Sequence, residues 1–286
     1  MRESGRNARV SFTQVHPGGV VPDPIARAAR RGAFECFAAE SVVLLGGGAA
    51  LLLQLAHPAI GTAVARHSRV RSDPLARLFG TLEFLTAEAF GDDDDRARVR
   101  RRVAAAHRPV HGDEPAAGGA YRADDPELQR WVAATLYVAG RAAHTRAFGE
   151  LPADRAAAVL AGFGGAATAL GMPAAMWPSD EATFRRVWRA GLASLRVTDE
   201  ARAIGLGLFD GTGVPWPLRP LLPVLRAVSI DLLPAEARAA YGVRHRRRDR
   251  FAAELVWALV VPAYRLAPAV LRRLPARVLL ARLRLA

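Results

Sequence analysis

The stretch between Ser41 and Ala65 constrains this chain more than any other. Apart from its glycines, only Gln54, His57 and Thr62 interrupt the apolar side chains. A helix that is apolar on every side must lie either in lipid or at the centre of a bundle. Gly46-Gly47-Gly48 interrupts the run, Pro58 falls inside it, and Glu35 and Glu40 flank it. These breakers and charges predict a buried core segment, with a membrane span as the alternative. Arg30-Arg31 just upstream mimics a twin-arginine export signal, but Met1 to Arg31 holds no apolar stretch of the kind a secretory signal peptide needs.

Downstream the pattern remains helical. Of the 286 residues, 51% are hydrophobic and 23% charged, which excludes wholesale disorder. Asp73-Pro74 reads as an N-cap followed by proline at the first helical position, opening a helix through Leu75, Leu78, Leu82 and Leu85 to a stop near Gly91. Asp92 to Asp95 begin the next helix, with acids at the positive end of its dipole, and Pro109 ends it near His107. His111 to Ala123 reads as a loop. Asp125-Pro126 and Pro152 each open a helix, and Ser179 caps another. Residues 205–223 read as a long connection, and Pro262, Pro268 and Pro275 as breaks in the C-terminal helices. The expected class is all-α, one multi-helix bundle. Its organisation is a basic, partly disordered segment 1–34, a helical domain 35–240, and a basic helical segment 241–286 packing on that domain.

Charge placement bears on partners. The net charge is +13, yet residues 35–240 are neutral: the segment 1–34 has six Arg against Glu3 and Asp23, and 241–286 has eleven Arg against Asp249 and Glu254. A nucleic-acid domain would carry its excess within the folded body, so no nucleic-acid partner is expected. Basic ends on a neutral body suit contact with an anionic surface. Leu266, Val270, Leu271, Leu274, Leu279, Leu280 and Leu283, interleaved with arginines, could form an interfacial helix, or could pack on the bundle with arginines outward. The expected location is cytoplasmic, with peripheral membrane association as the open alternative.

Several chemistries are excluded. Cys36 is the single cysteine, which rules out a disulfide framework, a Cys-rich zinc site, an iron–sulfur cluster and covalent c-type haem. All 40 basic residues are arginine, so P-loop and lysine Schiff-base chemistry are absent. No helical Glu-x-x-His, His-Glu-x-x-His, Gly-x-Ser-x-Gly or Gly-x-Gly-x-x-Gly occurs. Histidine remains: His57, His67, His107 and His111 in apolar settings, with His16, His144 and His245 elsewhere. His107 and His111 have i, i+4 spacing, but Pro109 between them predicts that they share no helical face. An apolar helical pocket with one suitable histidine can hold haem, with arginines pairing its propionates.

Leu51-Leu52-Leu53-Gln54-Leu55-Ala56-His57-Pro58, Arg66-His67-Ser68, Asp73-Pro74, Arg77-Leu78, Thr81, His107-Arg108-Pro109-Val110-His111-Gly112 and Tyr121 to Leu128 with Trp131-Val132 form an ordered set. Together, from about residue 40 to 200, they resemble the family of MpaB-type oxygenases and latex clearing protein, a rubber oxygenase. The resemblance implies an all-α fold around one non-covalent haem b, and oxidative use of O2 to cleave C=C bonds of an isoprenoid or other apolar substrate. It implies His107, in the His-x-x-Val-x-Gly motif, as proximal iron ligand, with His111 in reserve; the alternative is a helix-end histidine donating to a carbonyl. It places Arg77 and Thr81 on the distal side as catalytic residues, Arg77 also touching the cofactor. The plainer reading is an Asp73–Arg77 surface pair and a threonine bonded to its own backbone. His57 matches a family position as a cofactor contact, with a structural hydrogen-bonding role as the alternative.

The chain also departs from that pattern. Gly80 stands where latex clearing protein has a lysine able to reach the iron, and Ala133 stands where relatives carry histidine after Trp-Val. The proposed catalytic acid has no match, although Glu83 and Glu88 lie on the same predicted helix as Arg77. A non-catalytic haem- or lipid-binding protein at a membrane surface, and an oxidase or peroxygenase of other apolar molecules, are the competing functions.

Overall fold

Two short helices, α1 (Pro24–Arg31) and α2 (Ala33–Ala39), lead into the apolar stretch, which folds as a 3-10 segment (Ser41–Gly46), α3 (Gly47–Leu55) and α4 (Pro58–His67). The structure, a computed structural model, describes residues 23–68, 74–212, 214–244 and 246–285. Leu52, Leu53 and Leu55 are at most 1% exposed, so each contributes about 2 kcal/mol of burial to the core. Among the described residues no single helix is long and apolar enough to cross a membrane. Only Ala33–Ala39 with Ser41–Leu55, bent by 71°, has the length and composition together.

The remaining helices wrap this centre: α5 (Pro74–Phe90), α6 (Asp93–His107), α7 (Pro126–Phe148), α8 (Ala153–Thr168), α9 (Glu181–Ala193), α10 (Asp199–Gly207), α11 (Leu222–Leu232), α12 (Ala235–Ala240), α13 (Arg247–Leu266), α14 (Ala269–Arg272) and α15 (Leu274–Leu285). The fold is all-α. Along one side of α3 runs the 23-residue α7, and the 3-10 segment preceding α3 approaches α7 so closely that a Cβ at Gly46 would collide with the Ala139 backbone. Caps sit where the sequence puts them. Asp92 and Asp95 form a reciprocal capping box on α6, and Asp125 accepts from the Glu127 amide at 2.8 Å. The expected cap Asp73 lies outside the described residues, as do His16 and His245.

Four expectations need correction. Residues 111–123 form a β-hairpin, not a loop: β1 (His111–Glu114) pairs antiparallel with β2 (Gly119–Arg122), and Gly118 and Gly119 turn the chain at φ of +86° and +119°. Asp180, not Ser179, caps α9, accepting from the Ala182 and Thr183 amides. Residues 205–223 hold the end of α10 and a 3-10 segment (Trp216–Leu221) leading directly into α11. Pro262 does not break α13; it and Ala258, whose carbonyl loses its helical partner, are both on the exposed side.

The terminal segments pack on the body. Ile25 of α1 is fully buried against Ala276 and Leu280 of α15, and Leu283 is buried beside Phe84 and Val99. The arginines of this end pair with carboxylates elsewhere in the protein, although Arg282 and Arg284 keep much of their side chains in solvent. Arg272 and Arg273 both reach Glu40 (3.3 and 3.5 Å), Arg277 binds Asp23, Arg282 lies 3.5 Å from Glu83, and Arg284 lies 3.1 Å from Asp95. Of the apolar residues for which an interfacial helix and packing on the bundle were both open, Leu279, Leu280 and Leu283 face the bundle, while Leu266, Val270, Leu271 and Leu274 are exposed.

Candidate functional site

Six helices, α3 through Gln54 and then α4 to α8, surround a cavity of about 490 Å³, within the range of small-molecule and cofactor pockets. From α4 come Ile60, Val64 and His67; from α5, Arg77, Gly80, Thr81 and Phe84; from α6, Val103, Ala106 and His107. On α7, Gln129, Val132, Ala133 and Leu136 recur at helical spacing and present one stripe, opposite Phe163 and Ala167 of α8. Small residues at 63, 106, 133, 166 and 167 leave the space open.

His107 is the last residue of α6, and its imidazole makes no hydrogen bond to protein among the described residues. The helix-end role of donating to a carbonyl thus has no acceptor here. Burial first, and then the positive charge of Arg77, hold this histidine below its ordinary pKa, against an opposing pull from Asp124. Its neutral form, which carries a free lone pair, is favoured at neutral pH.

Arg77 differs from the other cavity arginines. Arg102 is bound to Glu83, and Arg122 forks onto Asp124 at 2.7 and 2.9 Å. No carboxylate pairs with Arg77 among the described residues, and burial pushes its pKa down. A guanidinium withdrawn from water without a counter-ion is costly, and so points to an anion or a strong acceptor as its intended partner. One helical turn on, the Thr81 hydroxyl donates to the Arg77 carbonyl at 3.2 Å, as the plainer reading expected, while still lining the cavity.

His57 and His111 do not line the cavity. His57 precedes the first residue of α4 and packs against Trp131, ring centroids 6.1 Å apart; its Nδ1 is buried without a partner. His111 opens β1 and is exposed. Pro109 and the start of the hairpin turn it away from His107, so the two share no helical face.

Sequence reasoning named His67 without assigning it a contact, and it missed Gln129. His67 lines the cavity and its Nε2 lies 3.2 Å from the Tyr121 hydroxyl. Gly112 pairs with Tyr121 across the hairpin, and a Cβ there would meet the Tyr121 ring at 2.6–3.0 Å; the glycine of the His107–Gly112 motif thus makes room for the tyrosine. Gln129 is buried; it donates to the Leu170 carbonyl at 3.0 Å and keeps its own Oε1 unpartnered. The α7 stripe could have flagged Gln129, whereas the His67–Tyr121 contact depends on a hairpin that the sequence did not disclose.

The candidate acids are engaged elsewhere. Glu83 is held by Arg102 and Arg282, and Glu88 by Arg100 at 2.6 and 2.7 Å, and neither lines the cavity. Gly80 and Ala133, where the chain departs from the pattern of its resemblance, both line it, and a Cβ at Gly80 would meet nothing within 4 Å.

The donor set bears on which group would fit. Among the described residues no three His, Cys, Asp or Glu side chains cluster to hold a metal ion. A metal at His107 would need ligands from a bound organic group, and a porphyrin supplies four nitrogens while leaving one protein imidazole to bind axially. Apolar walls, one neutral imidazole and one unpaired arginine are the features such a group requires, so the residues present fit haem.

Comparison with known proteins bears on the family. Residues 34–274 match the family described as ER-bound oxygenase mpaB/B'/Rubber oxygenase, catalytic domain. Two uncharacterized mycobacterial proteins, Mb2261 of Mycobacterium bovis and Rv2237 of Mycobacterium tuberculosis, are each 33% identical over 173 residues, 59% of this chain and 68% of theirs. No solved structure matches significantly.

Proposed function

Because this chain belongs to the mpaB/rubber oxygenase catalytic-domain family, we propose that it is a haem b-dependent oxygenase that uses O2 to oxidise a small apolar substrate, with C=C cleavage of an isoprenoid-like alkene as the reaction class. The observation that carries this reading is the convergence of His107 and Arg77, from two different helices, on one apolar cavity. When bound, haem supplies the redox chemistry that no side chain of this protein offers.

The protein's own residues supply the setting. His107, held neutral by burial and by Arg77, would offer its lone pair to the haem iron. Arg77 serves as the fixed positive charge, answering a propionate or the negative charge that develops on oxygen. Thr81 fixes its proton on the Arg77 carbonyl, which leaves its oxygen lone pairs toward the cavity as acceptors. Ile60, Val64, Phe84, Val132, Leu136 and Phe163 exclude water and bind an apolar chain by burial. The open space beside Gly80 gives the substrate room where a long side chain would otherwise stand.

The test is His107→Ala in protein expressed with added haem. The reading expects loss of the Soret band with an unchanged far-ultraviolet circular dichroism spectrum, and loss of carbonyl products from isoprenoid alkenes under O2. A variant that retains the wild-type haem spectrum overturns the assignment of His107 to the cofactor.

A further inference from the structure

Helix α13 carries an outer face that no part of the described chain covers. Phe251, Leu255 and Leu259 follow one another at i, i+4 and i+8 and are 70%, 51% and 67% exposed; Leu266, at the far end, is 86% exposed. An outer helix face ordinarily carries the charges that keep it in water. Here the polar residues along that length reach back into the protein. Glu254 takes Arg146 at 2.9 Å, Arg265 donates to the Ala147 carbonyl, and Tyr264 donates to Glu40 at 2.9 Å. What remains outside is an apolar stripe about 22 Å long, from fifteen residues at about 1.5 Å rise each.

The charge beside this stripe has the opposite character to that elsewhere in the molecule. The arginines of α14 and α15 are held by carboxylates. At the N-terminal end of α13, Arg244, Arg246, Arg247 and Arg250 have no ion-pair partner among the described residues, and Asp249 is spent on the Arg246 amide at 3.0 Å and near Arg248 at 3.7 Å. Arg226 of α11 joins Arg244, Arg246 and Arg248 around a groove of about 600 Å³ between the two helices. Leucines and an aromatic ring bordered by uncompensated arginines match the layering of a bilayer surface, with acyl chains beneath anionic phosphates.

We propose that α13, with the arginine-lined groove at its N-terminal end, docks this protein on an anionic lipid bilayer. Phe251, Leu255 and Leu259 enter the headgroup–acyl boundary, and the arginines bind lipid phosphates. An apolar substrate dissolved in that bilayer would then lie close to the enzyme. The surface is separate from the cavity, so the proposal stands or falls independently of the haem assignment.

The experiment is co-sedimentation of the full chain with phosphatidylcholine vesicles prepared with and without phosphatidylglycerol, at low and high salt. Binding is expected only with phosphatidylglycerol and should weaken with salt. The triple variant Arg246→Gln, Arg247→Gln, Arg250→Gln should lower partitioning about a hundredfold, from about fivefold per arginine at the surface. The variant Leu255→Ser, Leu259→Ser should lower it at least tenfold, and both variants should keep the wild-type thermal midpoint because every substituted side chain is exposed. Three results overturn the proposal. One is equal or absent binding to the two vesicle types; another is retention by either variant. The third is light scattering that shows a dimer which Leu255→Ser, Leu259→Ser dissociates, because the stripe would then be covered by a second copy.

Discussion

Arg77→Met separates a functional arginine from a structural one by the sign of its effect. The substitution keeps a long apolar stem along α5 and removes a guanidinium that has no carboxylate partner among the described residues and whose charge burial disfavours. Leaving a polar or charged group unsatisfied inside a protein costs about 1–3 kcal/mol, and because part of this mostly buried residue still reaches solvent the lower end applies, about 1 kcal/mol. The haem-free protein should therefore gain stability, and for a chain of this size about 1 kcal/mol corresponds to a rise of about 2–4 °C in thermal midpoint. Binding should move the other way. Losing a charge-assisted hydrogen bond of about 1.5–3 kcal/mol weakens haemin affinity about 10- to 100-fold. Differential scanning fluorimetry of the haem-free protein and a haemin titration followed at the Soret band measure the two effects. A fall in the haem-free midpoint would show that Arg77 supports the fold, and haemin affinity within twofold of wild type would show that it does not face the cofactor; either result refutes the reasoning.

Further outcomes follow from the packing and from the buried histidines. Leu283→Ala, at a site 2% exposed, should cost about 2–5 kcal/mol in urea unfolding, while Leu285→Ala, 89% exposed, should stay within about 0.5 kcal/mol; equal effects would mean that α15 is not part of the core. His57 and His144 both have pKa values lowered by burial, so the unfolded chain binds protons that the folded one does not as pH falls below about 6.5. Stability should decline from that point toward pH 5, and His144→Phe, which keeps the stacking on Phe37, should flatten the decline as read by thermal midpoint against pH. Gly80→Lys should fold with unchanged or slightly higher stability, because its side chain enters open space and glycine in a helix costs about 0.5–1 kcal/mol relative to alanine. It should also shift the visible spectrum of the haem-loaded protein, and an unchanged spectrum would place residue 80 away from the cofactor.

Local signals place the cavity residues His107, Arg77 and Thr81 on their elements: an acid-capped helix ends at His107 because Pro109 forbids its continuation, and Arg77 and Thr81 stand one turn apart on a single helix. Their choice as site residues came from the family resemblance alone, and the structure adds that all three line one cavity. The failures have a common origin. His57 stands beside a helix break as a ligand could, and only the packing of α3 and α4 against Trp131 takes it out of the cavity. Residues 111–123 hold the Gly and Pro of a loop, yet two glycines at positive φ and a buried Tyr121 make them a hairpin that carries that tyrosine to His67. The C-terminal leucines and arginines left both packing on the bundle and an interfacial helix open. Which face meets protein depended on whether Glu40, Glu83 and Asp95 lay within reach, and those partners are about 190–230 residues away in sequence.

The amino-acid order alone settled most of the helices and several of their ends, among them the capping box of α6 and the Asp125 cap of α7, because capping, proline geometry and helical periodicity act over a few neighbouring residues. It also settled the absence of lysine and of cysteine clusters, and with them the chemistries that cannot occur. The three-dimensional packing decided which histidine and which arginine meet across the cavity, which acids are consumed in ion pairs, and which helix keeps a bare apolar face. Those outcomes depend on contacts between segments far apart along the chain, and no local pattern encodes the direction in which a side chain will find its partner.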